Sequence, residues 1–498
     1  MTLTTKNIIA NFAGSGWSAL MGLIFLPFYI KIMGPESFGI VGIFASLQAI
    51  FSILDLGLSQ TLNREMARLS ANPENSTIMV DTARTMELVY WGIAIGLVVI
   101  LGFLSDFIAF RWLNPGQLSP KKLAETIWIM AFVLGLRWPV NLYMGGLNGL
   151  QRQVAVNIIN SIFVTFQGVG ALVVLWFYAP TIRAFFLWQG VIASLQVITF
   201  FLVFWQSFPF TQRGKFQGEV LKRVRSFAVG ITGISILSVI LTQLDKIILS
   251  KLLPLSEFGY YSFAATIAAA LYKLISPVYT AYFPRFTLLV TQNDQLTLSK
   301  TYHQGCQLMT LVILPISLSV AFFSKEILEL WARNPDVVKH SYLVLSLLIV
   351  GNAFNGLYYL PVALQLASGW TQLVFYQNVI AVIILAPAIY YSTSYWGAVG
   401  AASVWILLNT GYLLISVQLM HRRLLINEKL SWYTNDVAKP LIFILLVCFA
   451  GRFIYQQDWG DVATILFLLT FLGTSSISAY YNLHYLRGSM RHFLRETR

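Results

Sequence analysis

The sequence predicts an all-α membrane protein. About fourteen transmembrane helices are expected, as two parallel six-helix repeats around a central cavity with two further helices at the C-terminal end. Three observations predict this. Hydrophobic residues make up 57% of the 498 and charged residues only 11%, whereas a soluble domain carries about 25% charged residues; mean hydropathy is +0.70. Apolar runs recur along the whole chain, each long enough to cross a ~30 Å hydrocarbon core at roughly 1.5 Å per residue. And a short phrase occurs twice, KIMGPESFG at 31–39 and KLLPLSEFG at 251–259. The runs are continuous rather than short and alternating, which points to helices and not to a barrel.

In chain order the expected spans are 9–32, 38–62, 86–109, 124–147, 156–178, 184–206 and 226–252, then 258–284, 303–325, 341–366, 372–392, 396–420, 437–456 and 461–482. The first is too long for a cleaved signal peptide, and no small-residue cleavage site precedes a soluble domain. It is expected to remain as a helix, with Gly14, Ser18 and Gly22 at the four-residue spacing that lets membrane helices approach closely. The second span carries Asp55 near its end. The fourth carries Arg137 and, two residues on, Pro139, which removes a backbone donor and is expected to open the helix there. Asp245 and Lys246 fall in the seventh, Lys273 in the Pro-rich eighth, and His303 begins the ninth.

The doubled phrase organises these spans. In both copies a Lys precedes Phe-Gly by seven residues, Lys31 with Phe38-Gly39 and Lys251 with Phe258-Gly259. Each copy falls between the first and second helix of a six-helix set. The expected domains are therefore an N-lobe at 1–206, a basic linker at 207–225, a C-lobe at 226–420, and a last helix pair with a basic tail at 421–498. Six is an even number, so both sets begin on the same side of the membrane. Parallel repeats of this kind are one of the two arrangements of alternating-access transporters.

Loop charges set the orientation. With the N-terminus inside, twenty of the 33 Lys and Arg fall on the inner side and ten on the outer, and Arg137, Lys246 and Lys273 lie within spans. The inner groups include Arg213, Lys215, Lys222, Arg223 and Arg225, then Arg422, Arg423, Lys429 and Lys439, then Arg487, Arg491, Arg495 and Arg498. Both termini are expected in the cytoplasm. The net charge of +13 is largely this topology signal, with attraction to anionic lipid headgroups added. No basic soluble module exists to bind nucleic acid.

The stretch KIMGPESFGIVGIFASLQAIFSILDLGLSQTLNREMARL resembles the opening helix pair of Wzx-type polysaccharide-export flippases. That family belongs to the multidrug, oligosaccharidyl-lipid and polysaccharide exporter superfamily, together with the lipid II flippase and multidrug and toxin extrusion transporters. The resemblance rests on Gly34-Pro35-Glu36-Ser37-Phe38-Gly39, Asp55-Leu56-Gly57-Leu58 and Arg64-Glu65. LNGLQR at 147–152 and LDKIILSKLLPLSEFG at 244–259 also match. It covers about the first 420 residues. It implies a secondary transporter that carries a polyprenyl-diphosphate-linked oligosaccharide from the inner to the outer leaflet of the cell inner membrane, for O-antigen, capsule or exopolysaccharide synthesis. Membrane lipids and the polysaccharide polymerase and chain-length machinery are the implied partners.

Charged groups inside spans cost about 2.5–3.5 kcal/mol each at the helix centre, so five of them are candidate sites. Arg137 and Lys273 each lie about 20 Å below the outer edge, one in each lobe. They are expected to bind the substrate anion, unless each is taken by a hidden carboxylate or by backbone carbonyls. Lys246 is expected to bind substrate, or else to snorkel toward the outer headgroups; as sequence neighbours, it and Asp245 do not form an i,i+4 pair. Asp245 is a candidate for ion coupling or for orienting a basic neighbour. Asp55 has Arg64 and Arg68 within reach, and a gate or structural salt bridge is expected there rather than substrate contact. His303 is a candidate pH sensor. Tyr358-Tyr359 and Tyr390-Tyr391-Tyr395-Trp396 are expected mainly to pack or to form interfacial belts.

Other chemistry is expected to be absent. Gly14-Ser15-Gly16-Trp17-Ser18-Ala19 fits G-x-G-x-x-A but lies in an apolar helix with no strand before it. No Walker motif, no G-x-S-x-G and no clustered metal ligands occur, and Cys306 and Cys448 sit on separate spans. No catalytic residue, cofactor or metal is expected. The rival readings are a multidrug or other amphiphile exporter, disfavoured because the deep charges are mostly basic, and a membrane polysaccharide polymerase, disfavoured because every outer loop is short.

Overall fold

The computed structural model describes residues 3–55, 57–70, 73–208, 214–456 and 459–483, with the backbone alone at 3–5, 7–9, 12, 73 and 220–235. Leu56, Arg213 and the tail arginines Arg487, Arg491, Arg495 and Arg498 lie outside the described residues. Helices α1 (Leu3–Ile24), α2 (Leu26–Ser52), α3 (Leu58–Leu69), α4 (Ser76–Phe107) and α5 (Pro120–Gly149) lead into α6 (Gln153–Phe177), α7 (Ile182–Trp205) and α8 (Gly218–Leu252). Then come α9 (Leu255–Ala269), α10 (Tyr272–Thr291), α11 (Gln295–Phe322), α12 (Ser324–Ala332) and α13 (Pro335–Ala367). The chain closes with α14 (Thr371–Gly411), α15 (Val417–Arg423), α16 (Lys429–Ser431), α17 (Lys439–Ile454) and α18 (Asp461–Tyr481). Among the described residues there is no strand.

Every expected span has a helix. Eleven helical stretches among the described residues are long and apolar enough to cross a membrane, and Thr371–Arg423 holds two expected spans. These meet at Gly397, where the backbone breaks (φ 59°, ψ −143°). α1 and α8 supply the first and seventh expected spans. The second expected span ends early, since α2 stops at Ser52 rather than 62 and α3 starts anew after Gly57; two further details differ from expectation. α4 begins at Ser76, ten residues before the expected span, because Asp81 and Arg84 lower the local hydropathy yet stand on the helix with partners of their own. And α5 runs through Pro139 without the expected opening; α3, α4 and α7 pack along it.

The repeat is visible in the elements. α4 and α11 begin at 76 and 295, α5 and α13 at 120 and 335, and α6 and α14 at 153 and 371. α5 and α13 even share their start. Pro120 follows the cap Ser119, whose hydroxyl accepts from Lys122 N, and Pro335 follows the cap Asn334, whose side chain accepts from Asp336 N and Val337 N. Both capping devices satisfy N–H groups that a helix start leaves open. The doubled phrase forms a helix break in each copy, at Gly34 (φ 82°, ψ 163°) inside α2 and at Leu253 between α8 and α9. Gly34 and Gly57 (φ 73°) adopt the left-handed region that favours glycine, which explains two of the motif glycines.

By contacts the chain divides into two compact units, Met1–Gly259 and Tyr260–Arg498. Of the first unit's apolar spans compared among the described residues, α5 is the most enclosed, with 67% of its apolar stretch buried against 22% for α6. The core around it includes Tyr90, Trp138, Tyr143, Phe200 and Phe204. Hydrophobicity alone does not bring helices together in lipid, so small and polar side chains supply the fit. α1 meets α6 in this way: Asn157 donates to Asn11 (2.6 Å), Asn11 to Gln153 (2.9 Å) and Trp17 to Thr165 (2.9 Å). Of the expected small-residue stripe, Gly14 packs on Asn157 and Ser18 accepts from Asn160, while Gly22 faces open space.

In the second unit, polar contacts tie the last helix pair to α11. His303 bridges Asp436 at its Nδ1 and Glu428 at its Nε2 (3.0 Å). Gln307 donates to Asp436 (2.8 Å), Thr310 donates to the Asp436 carbonyl (2.8 Å), and Ser299 donates to Glu428 (2.8 Å). His303 and Asp436 are fully buried, and removing one partner of such a pair strands the other at a cost of about 3–5 kcal/mol. Glu428 lies outside the spans. Burial would raise its pKa, but the Ser299 and His303 hydrogen bonds together hold it below the usual carboxylate range. At the other end of the pair, Arg452 is bonded to Glu326 and Arg333 to Asp461 (3.0 Å).

Candidate functional site

Arg137 is the most informative of the candidates. α5 places it among α2 and α7, where its guanidinium donates to Gln189 (2.6 Å) and lies 5.3 Å from the centroid of the Phe44 ring. Gln189 and Phe44 are both buried. No carboxylate pairs with Arg137 among the described residues. Its Nε has no partner, nor have the nearby buried donors Trp138 Nε1 and Tyr90 Oη, whose rings lie 5.8 Å apart. Buried donors are almost always satisfied, so these three open donors, one of them on the cation itself, stand out among the described residues. Seven residues beyond Gln189 along α7, Gln196 accepts from Gln167 (3.3 Å).

Lys273 belongs to the second unit. It follows the break between α9 and α10, and its ammonium is exposed, with no partner among the described residues. Its neighbour Tyr272 donates to Asn352 (3.2 Å) and Asn355 (3.1 Å), and Asn355 donates in turn to Asn409 (2.7 Å). Trp405 also donates to Asn352 (2.9 Å). Tyr358 stacks on Tyr412 at 5.1 Å, and Tyr359 meets Tyr272 and Tyr279. The exposed Tyr390, Tyr391, Tyr395 and Trp396 end the first half of α14 as a belt.

The remaining candidates are more committed locally. Lys246 does not snorkel toward the end of α8: it folds back to the Thr242 carbonyl (3.1 Å) and Gln243 (3.4 Å), and it lies 4.0 Å from Asp245. A long side chain lets these sequence neighbours meet despite their ~100° separation on the helix. Asp55 accepts from Ser59 Oγ (2.8 Å) and Ser59 N (3.3 Å) at the start of α3, so it pairs with neither Arg64 nor Arg68. Arg68 pairs instead with Glu65 (2.5 Å). The carboxylate prefers the free N–H groups at the nearest helix start.

Several working residues have no signal in hydropathy. Glu36, the acid of the Gly-Pro-Glu motif, accepts three backbone N–H groups, from Gly116 (2.7 Å), Gln117 (2.9 Å) and Leu118 (3.2 Å). The same loop grips the end of α8. Asn114 donates to the Lys251 carbonyl (2.7 Å) and accepts from Leu255 N (3.0 Å), Trp112 donates to Ser250 (3.1 Å), and Lys251 bonds to the Arg111 carbonyl. Beneath this grip the two copies of the doubled phrase lie against one another. A Cβ on Gly259 would stand 1.9 Å from the Pro35 carbonyl oxygen, and one on Gly39 would stand 2.6 Å from that of Leu255.

A second acidic group holds the linker. Asp81 accepts from Lys215 N (2.6 Å) and Gln217 Nε2 (2.5 Å), and Thr85 accepts from Gln217 N (2.9 Å). Glu87, with its side chain 1% exposed, takes Arg84 (2.5 Å), Tyr143 (2.7 Å) and Trp205 (2.9 Å). The spacing of Asp81, Arg84, Thr85 and Glu87 is helical, and that spacing was the available signal.

The sequence profile described as polysaccharide biosynthesis protein matches residues 4–290, and the one described as MatE matches 231–391. A Shigella flexneri chain named as an O-antigen transporter is 23% identical over 410 residues, covering 80% of this chain and 93% of that one. Among solved structures, the lipid II flippase MurJ in an inward closed conformation matches with a TM-score of 0.69 at 14% identity, over 96% of this chain and 99% of that one. A multidrug resistance MATE family transporter of the MOP superfamily, inward-facing, matches with a TM-score of 0.62 at 12% identity, over 83% of this chain and 96% of that one. At such identities the structural matches establish the fold.

Proposed function

Since the chain belongs to the polysaccharide biosynthesis protein family, whose profile spans more than half of it, we propose that it is a flippase for a polyprenyl-diphosphate-linked oligosaccharide. The observation that carries this reading is Arg137, a cation inside a membrane span with no carboxylate partner among the described residues and with open buried donors on it and on its neighbour Trp138. A diphosphate headgroup bearing sugars cannot cross a ~30 Å hydrocarbon core unaided. Arg137 offers a planar fork for phosphate oxygens and Lys273 a mobile point charge, with Lys246 as a third cation. The lobes of this transporter are 1–206 and 226–420, joined by the basic linker 207–225, and 421–498 adds the last helix pair. The hold of Glu36 and its loop on the end of α8 is the candidate for an outer gate, and Asp245 is the candidate for ion coupling. The drug-exporter reading is disfavoured, because Asp55 is occupied by Ser59 and the deep charges are mainly basic. The polymerase and chain-length machinery would receive the flipped product.

Deleting the gene is expected to accumulate the lipid-linked oligosaccharide in the inner leaflet, and unchanged leaflet distribution would refute the assignment. Outward movement of two negative charges through an inside-negative potential of 100 mV is favoured by about 4–5 kcal/mol. Proteoliposome transport is therefore expected to follow a potassium–valinomycin potential at fixed pH. Indifference to potential, together with strict dependence on a proton or sodium gradient, would shift the driving role to Asp245 or His303.

Orientation has its own test. The proposed setting is the inner membrane with both termini cytoplasmic, as the loop charges require. A topology reporter at Gly214 should read cytoplasmic and one at Gly116 should read external. A cytoplasmic signal at Gly116 would overturn the arrangement.

A further inference from the structure

In the second unit a cleft of about 890 Å³ opens where α12, the start of α13, the end of α17 and the start of α18 meet. Lys325, Arg333, Lys339 and Arg452 line it, against the carboxylates of Glu329 and Asp461. Spans end here, so the cleft lies at headgroup depth rather than in the hydrocarbon. Trp331, Tyr455 and Trp459 are ringed about this end, with Tyr455 and Trp459 5.6 Å apart, as expected of an interfacial belt. Beside it Phe453 is 92% exposed and Val462 72% exposed, which is the surface that acyl chains cover in a bilayer.

Three of the four cations have carboxylate partners, but the pairing differs in kind. Arg452 is bonded to Glu326, which is 3% exposed behind the cleft wall, and this pair is structural. Lys325 and Glu329 stand 3.9 Å apart with both side chains about half exposed, and Arg333 and Asp461 pair at 3.0 Å with 70% and 64% exposure. Exposed pairs of this sort are worth about 0–1 kcal/mol, so they position their cations without consuming them. Lys339 has no partner among the described residues. It is the surplus charge of the cleft.

The backbone at Arg333 adds an independent observation. Arg333 caps the end of α12 in the left-handed region, at φ 47° and ψ 37°. Glycine fits that position without steric cost, and an L side chain there is strained. The strain places a guanidinium over the cleft mouth, and a side chain held at such a cost is a reason to look for what it binds.

We propose that this cleft binds the phosphate of a lipid headgroup, with Lys339 and Arg333 as its principal ligands and Lys325 beside them. Clustered Lys and Arg between membrane helices attract anionic headgroups, and here exposed apolar side chains adjoin the cluster. The proposal rests on the membrane-spanning reading alone and not on the transported substrate. Two sources share the chemistry, an anionic phospholipid of the surrounding leaflet and a polyprenyl diphosphate.

The test uses the full-length protein in neutral phosphatidylcholine nanodiscs, titrated with phosphatidylglycerol or with a polyprenyl diphosphate, and read by native mass spectrometry and thermal unfolding. Lys339→Gln and Arg333→Gly are each expected to weaken binding about fivefold, following the contribution of one basic residue near an anionic surface. Arg333→Gly also relieves the backbone strain, so its unfolding temperature without anionic lipid is expected to be no lower than wild type. Asp461→Asn removes a competing carboxylate and is expected to preserve or tighten binding. A purely structural Arg333–Asp461 pair predicts the reverse, with both variants less stable and lipid binding unmoved. Preference for phosphatidylglycerol would assign the site to the leaflet, and preference for the polyprenyl diphosphate would assign it to that lipid. Wild-type lipid responses in the Arg333→Gly/Lys339→Gln double variant would overturn the proposal.

Discussion

The Arg137→Ala/Lys273→Ala double variant is expected to lose polysaccharide export at least about a hundredfold while its membrane level stays near wild type. A hydrogen bond to a charged group contributes about 1.5–3 kcal/mol, which is about tenfold or more for each cation lost. The abundance half of this expectation comes from the structure. Arg137 holds Gln189 and no carboxylate, and Lys273 holds nothing among the described residues. Truncating either strands no buried charge, so folding should survive. Lys273→Arg is expected to keep partial export because charge is retained. Arg137→Lys should fall between wild type and Ala, because an ammonium cannot reproduce a planar fork. Surface polysaccharide and protein level must be measured together. Wild-type export in the double variant would end the substrate-binding assignment, and a parallel fall of export and abundance would make both residues structural.

Gly259→Ala is expected to be nearly as damaging for a steric reason. Its methyl group would meet the Pro35 carbonyl oxygen at 1.9 Å, and backbone cannot yield as a side-chain tip can. The contact between the two copies of the doubled phrase should therefore fail to close. Gly39→Ala, at 2.6 Å from the Leu255 oxygen, should do the same to a smaller degree. Glu36→Gln attacks the same grip electrostatically, removing the charge that assists three backbone hydrogen bonds. The measurement is labelling of a cysteine at Ser37, which is 6% exposed, by a membrane-impermeant thiol reagent. The native Cys306 and Cys448 are buried. Faster labelling from outside with reduced export is the expected pair of results. Unchanged protection and export in Gly259→Ala would show that the outer end closes elsewhere.

These expectations differ in how far the sequence supports them. Arg137, Lys246 and Lys273 could be singled out because a cation in an apolar run is costly and stands out in any window. The same logic hid Asp81 and Arg84, whose charges made the start of α4 look like a loop, while Glu87 fell inside the expected span without being singled out. Glu36 was visible as part of a motif, but nothing in a motif says that its carboxylate caps the loop at 116–118, eighty residues away. Asp55 shows the opposite failure. Arg64 and Arg68 lay within reach along the chain, yet Ser59 and the open N–H groups of α3 were nearer in space.

By itself the sequence determined the solvent, the helices and the repeat. Too few charges to cover a soluble surface, apolar runs of bilayer length, and elements returning after 215–220 residues are properties of the chain read one segment at a time. The tertiary structure alone decided which charges are spoken for. Among the described residues it left Arg137 without a carboxylate, gave His303 to Asp436 and Glu428, and set Gly259 against Pro35. Span formation depends on local transfer from water to lipid, which each segment settles for itself. Pairing inside the membrane depends on which side chains from distant segments come within about 3 Å, and no local property of the chain encodes that distance.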